Sequence, residues 1–316
     1  MDSSPVEHQT IDVPGVGPTG LAVYGVQGGY PVLALHGAPA CRLMYDVADA
    51  PARELGMTLY CPDRPGYGLT PLDRPDRTLR DRAAALEAVV DHLGLDRFAI
   101  IGISGGAPYA VALASRVRTR ATALLLASPM GPFADYMSAT VPATARRDIA
   151  AGHRLFFLGG PRRPRLLANG ATLASAGFKA APQLFTRLFA RSLGSADRRV
   201  LERPRNAASL IRMTRESLRQ GVCGGIADLE LFARPWGVGF DEVTAPALVC
   251  QGTADRIVPA ALSVWLADRI PGCTLRRLEN AGHFWVYDNA RDVLGTLIGL
   301  AMPTDPAGPL PLTGQA

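Results

Sequence analysis

A rhythm constrains this 316-residue chain more than any single motif does. Short apolar runs bounded by turn residues alternate with longer helix-like stretches. The runs are "PVLALHG" (31–37), "MTLYCPD" (57–63), "RFAIIGIS" (97–104) and "ATALLLASP" (121–129), then "APALVCQG" (245–252) and "CTLRRLEN" (273–280). Continuous apolar runs this short suit parallel strands buried on both faces. The stretch "TLRDRAAALEAVVDHL" (78–93) predicts a helix that closes at Gly94. Further helices are expected over 106–117, around 259–269 and near 288–301. Two β-prone pieces, "QTIDV" and "GLAVYGV", read as an antiparallel start to the sheet. Strands alternating with helices predict an α/β fold with a mostly parallel sheet.

The rhythm breaks after Pro129. Residues 132–240 are rich in Arg, Gly and Pro, and they read as a helical insertion in one large domain. The expected division is therefore a first core part over 1–131, a helical cap over 132–240, a second core part over 241–303 and a disordered tail over 304–316. Residues 133–240 carry 17 Lys and Arg against 7 Asp and Glu, a net of +10 in a chain whose total is +5. An Arg-rich solvated surface accounts for this most simply; a lid that attracts anionic substrates is the second reading. No basic run is interleaved with stacking aromatics, so a nucleic-acid partner is not expected. No stretch approaches the roughly 20 apolar residues of a membrane span, and no signal peptide is expected. The five scattered cysteines read as reduced thiols, which with the missing signal peptide predicts a cytoplasmic protein, monomeric or homodimeric.

Gly102-Ile103-Ser104-Gly105-Gly106 places G-x-S-x-G between an expected strand and an expected helix. A nucleophile elbow needs such a turn to lift its hydroxyl clear of the sheet. A serine hydroxyl also needs a base. Of the five histidines, His283 in "ENAGHFW" follows the last expected strand, where reacting groups gather in open α/β sheets. His8, His92 and His153 lack that setting, and His36 belongs to the "HGAP" loop. Asp255 in "QGTADRIVP" follows the penultimate strand and is the expected acid; Asp228 and Asp135 are its rivals. Ser104, Asp255 and His283 then come in nucleophile–acid–base order. The oxyanion donors are expected at the N–H groups of Gly105 and Ala38. Met130, Phe232, Trp236 and Phe284 are candidate walls of a substrate site, although Phe232 and Trp236 serve more readily as structural anchors.

Taken in order, "HGAP", "DRPGYGLT", "GISGG", "GTADRIVP" and "NAGHF" resemble the α/β-hydrolase superfamily over roughly residues 20–130 and 240–300. The resemblance implies a mostly parallel, twisted, eight-stranded sheet flanked by helices, with a helical cap where the insertion stands. It makes Asp63 and Arg64 architectural. Epoxide hydrolases and haloalkane dehalogenases resemble this framework but use an Asp nucleophile, whereas Ser104 stands here. Proline iminopeptidases are similar in size but carry a bulky residue after the nucleophile, where this chain has Gly105. The implied function is a serine hydrolase acting on an ester, lactone or thioester of a small molecule, with no cofactor and no metal. The alternatives are a lyase or cyclase on the same fold, and a ligand receptor on this scaffold.

Overall fold

Each apolar run is a strand in the computed structural model, which describes residues 9–74, 76–138 and 164–302. The strands are β1 (Gln9–Val13), β2 (Gly17–Gly25), β3 (Tyr30–Leu35), β4 (Met57–Pro62), β5 (Phe98–Ile103), β6 (Ala121–Ala127), β7 (Ala247–Gly252) and β8 (Thr274–Leu278). They form one sheet in the order β1-β2-β4-β3-β5-β6-β7-β8. β2 pairs antiparallel with both β1 and β4, and every later pairing is parallel. β5, β6 and β7 are buried at every residue, which is why their sequences are apolar but for Thr122 and Gln251.

Alternate residues of these strands feed two cores. Leu33, Leu35, Ile100, Leu124 and Val249 pack on one side, against α2 (Leu79–His92), α3 (Ala107–Val117) and a late helix over Ala260–Arg269. Val32, Ala34, Ile101, Leu125 and Leu248 pack on the other, against α1 (Asp49–Glu54) and the last helix over Ala290–Ala301. The start of α2 is fixed locally: the Thr78 hydroxyl accepts from the Asp81 N–H, and the Asp81 carboxylate accepts from the Thr78 N–H.

The insertion leaves the sheet after β6 and returns before β7. Its described helices are α4 (Phe133–Ser138), α5 (Pro164–Ala180), α6 (Pro182–Leu193), α7 (Ser195–Leu201), α8 (Pro204–Ser217) and α9 (Cys223–Phe232). Leu193, Leu201, Leu210 and Met213 close an apolar cluster over Ala40, Cys41 and Leu43 in the loop after β3. Buried ion pairs add to it. Arg42 meets Asp63 and Glu216 at 2.8 Å each, and Arg64 meets Asp228 at 2.7 Å. His8, His153, residues 139–163 of the expected cap and the expected tail lie outside the described residues. Among the described residues no helix is long and apolar enough to cross a membrane.

Candidate active site

Ser104 directly follows β5 and opens the tight turn Ser104–Gly106 that leads into α3. Its φ is +51°, a left-handed conformation that costs a non-glycine residue energy and that clusters at functional sites. The glycines around it let three chain segments crowd together. A Cβ on Gly102 would lie 2.7 Å from the Ala110 Cβ of α3, and one on Gly106 would lie 2.2 Å from the Leu35 carbonyl oxygen of β3.

His283 and Asp255 reach the same spot from the loops after β8 and β7. His283 Nε2 lies 3.0 Å from Ser104 Oγ, and Nδ1 lies 2.8 Å from Asp255 Oδ2. A carboxylate only accepts, so Nδ1–H donates to Asp255 and Nε2 is left to accept the serine proton. Ser104 and His283 are 6% and 7% exposed. Asp255 Oδ1 accepts the Ile257 and Val258 N–H groups at 2.8 and 3.0 Å. Burial pushes the Asp255 carboxyl up, but His283 and these hydrogen bonds outweigh it and hold the group below the usual aspartate value.

The rival groups are occupied elsewhere. Both oxygens of Asp228 accept: Oδ2 from Arg64 at 2.7 Å and Tyr67 at 2.8 Å, Oδ1 from the Tyr109 hydroxyl at 2.5 Å. Asp135 accepts the Trp236 N–H at 2.9 Å. His36 Nδ1 lies 2.8 Å from the Gly37 carbonyl oxygen, while Nε2 accepts the Arg64 N–H at 3.0 Å. Burial, with Arg64 nearby, holds His36 well below the usual histidine value and therefore neutral.

Ala38 and Gly105 lie against each other: a Cβ on Gly105 would be 2.7 Å from the Ala38 Cβ and 3.0 Å from the Ala38 nitrogen. The third neighbour of that position is Phe232, at 3.3 Å. The Met130 N–H donates to the Ser104 carbonyl at 2.9 Å. Phe284 packs edge-on against His283 and against Phe189 of α6, at centroid distances of 5.4 and 6.0 Å. Trp236 is buried in the core with its ring on Phe240 at 5.9 Å, so it stands as an anchor.

Three supporting residues escape a reading of the motifs. Gln251 Nε2 donates to Asp255 Oδ2 at 3.2 Å, and Gln251 Oε1 accepts from the buried Ser263 hydroxyl at 2.6 Å. A lone polar residue ending the run "ALVCQG" was the available signal for Gln251. The third is Met44, whose Sδ accepts the Gly37 N–H at 3.1 Å beneath the loop that carries Ala38, and nothing in its sequence setting marks it.

The model of the alpha/beta hydrolase family matches residues 32–296. A pimeloyl-[acyl-carrier protein] methyl ester esterase of Aromatoleum aromaticum is 36% identical over 94 residues, a match spanning 29% of this chain and 36% of that protein. An uncharacterized hydrolase of Bacillus subtilis, YcgS, is 24% identical over 283 residues, covering 89% of this chain and 94% of its own. Among solved structures, an esterase from Exiguobacterium antarcticum superposes with a TM-score of 0.66 at 18% identity, covering 93% of this chain and 99% of that one.

Proposed function

The chain belongs to the alpha/beta hydrolase family, and on that premise we propose that it cleaves an ester, lactone or thioester through an acyl-enzyme on Ser104. The observation that carries this reading is the unbroken row from Ser104 Oγ through His283 to Asp255, at 3.0 and 2.8 Å. Ser104 Oγ attacks the carbonyl carbon as its proton passes to His283 Nε2. The imidazolium that results is paired with Asp255. The carbonyl oxygen becomes an oxyanion that accepts hydrogen bonds from the N–H groups of Gly105 and Ala38. Collapse expels the alcohol or thiol, which takes the proton from Nε2. In the second half His283 accepts a proton from water, the hydroxide attacks the acyl carbon, and Ser104 leaves with the proton.

Esterase relatives agree with this reading, and so does the apolar setting of Phe232 and Phe284 beside the row. The test is covalent labelling with a fluorophosphonate, mapping of the adduct, and a panel of esters, lactones and thioesters. The adduct is expected on Ser104, and Ser104→Ala is expected to lower turnover by about four to six orders of magnitude with the fold intact. Wild-type turnover in that variant refutes the nucleophile. Solvent ¹⁸O must enter the acid product; if it does not, the reaction is not a hydrolysis.

A further inference from the structure

We infer that Asp197 of the inserted helices is a positioning residue that holds the loop carrying His283, an inference that rests on His283 being the base. Asp197 lies in the first turn of α7 and is 1% exposed. Its Oδ1 accepts the Phe284 N–H at 2.8 Å. On the other flank of His283, a Cβ on Gly282 would lie 2.3, 2.4 and 2.6 Å from the Asp197 Oδ1, Cγ and Oδ2. The carboxylate therefore sits against the backbone on both sides of the histidine. Only glycine at 282 allows that approach.

The same turn also reaches the other loop of the row. Gly194, the residue before α7, packs on Arg256 beside Asp255: a Cβ there would lie 3.2 Å from the Arg256 Cζ. One turn of the insertion thus touches residues next to both His283 and Asp255.

Energetics agree with a geometric role. Asp197 Oδ2 is buried with no hydrogen-bond partner. A carboxylate half satisfied in this way is a poor source of stability, because desolvation opposes the one bond it makes. What it supplies is placement. His283 must hold Nε2 within hydrogen-bond reach of Ser104 Oγ, and displacements near 1 Å cost rate steeply.

The experiment compares variants of the full-length protein by steady-state kinetics, by fluorophosphonate inactivation and by amide hydrogen exchange at Phe284. Asp197→Ala is expected to lower kcat and the inactivation rate together, by about 10- to 100-fold, with KM changed less than about threefold. Asp197→Asn, which keeps an acceptor oxygen, is expected to restore most of that loss. Exchange at Phe284 should speed up in the alanine variant and stay slow in the asparagine variant. Gly282→Ala should be damaged by the clash, and Asp197→Ala/Gly282→Ala should be more active than Gly282→Ala alone because the trimmed side chain makes room. Asp197→Ser replaces the alanine variant throughout if the latter does not fold. Unchanged kcat in the alanine variant, an effect on KM alone, or a double variant no better than Gly282→Ala overturns the inference. Absence of a Ser104 adduct in the wild type would instead sink the nucleophile, and the Phe284 exchange rates would still decide the contact.

Discussion

Two buried aspartates compete for the role of acid, and exchanging each for asparagine separates them. Asp228 lies in α9 of the insertion, 2% exposed, and its charge balances Arg64, whose side chain is 1% exposed. Asp228→Asn leaves that guanidinium buried without the carboxylate, and breaking a buried pair from one side costs about 3–5 kcal/mol. In a chain of this size each kcal/mol lowers Tm by about 2 °C, so the expected loss is about 6–10 °C. Turnover measured below the transition should stay within about tenfold of wild type, because the hydrogen bonds of Asp228 go to Arg64, Tyr67 and Tyr109 rather than to the row at Ser104. Asp255→Asn should do the reverse. Asn Oδ1 can still accept the Ile257 and Val258 N–H groups, so Tm falls by less than in Asp228→Asn. The His283 tautomer loses its acceptor at Nδ1, and kcat should drop about ten-thousandfold. The assay is a thermal melt paired with kcat on the best ester of the panel. A loss under tenfold in Asp255→Asn, or an equal loss of kcat in folded Asp228→Asn, refutes the assignment of the acid.

The depressed pKa of Asp255 has a consequence for stability. A group whose folded value lies below its unfolded value stabilises the fold above about pH 4, and that contribution is lost as pH falls through the lowered folded value. The Tm gap between wild type and Asp255→Asn should therefore narrow as pH is taken from about 5 to about 3; curves that stay parallel would show that Asp255 is not held ionised by the fold. The basic insertion predicts a salt effect. For esters bearing a carboxylate or phosphate, kcat/KM should fall as ionic strength rises, while charge-neutral analogues should not respond. Equal behaviour of the two series removes charge steering from the account.

The strands were legible because a strand buried on both faces has no polar alternation to blur it: β5 is apolar from end to end, and β6 and β7 each carry a single polar residue, Thr122 and Gln251. Ser104 and Asp255 stand out because each lies just after such a strand, so finding the strand locates the residue. His283 follows β8, an edge strand that carries Arg276 and Arg277 and is nowhere fully buried, and it stands out by its place after the last strand. Asp197 and the role of Asp228 could not be picked out. Their partners lie 87 and 164 residues away, and the contact exists only because of how the insertion packs. Local propensity says nothing about that packing. Phe232 is a candidate wall by its place near the end of the insertion, but its closeness to Gly105 depends on where α9 ends against the core.

The net charge of the insertion hides a division that decides how it works. Every arginine between residues 165 and 240, and Lys179, is exposed. Its acids divide: Asp197 and Asp228 are buried and Glu216 and Glu230 are half buried, while Glu202 is exposed. Asp197, Asp228 and Glu216 meet the core, at the Phe284 N–H, Arg64 and Arg42 respectively. A buried carboxylate is tolerable only where the opposing surface offers a cation or N–H donors. The core provides them with two buried arginines and a backbone amide in the loops around Ser104. Exposed cations need no such partner, although Arg203 and Arg212 do pair with Asp288 and Asp46 of the core. Inward acids act at contact distance, on the loops that hold His283 and Ala38. A single figure of +10 sums both kinds of group, so it conceals that Asp197, Asp228 and Glu216 are in contact with the core.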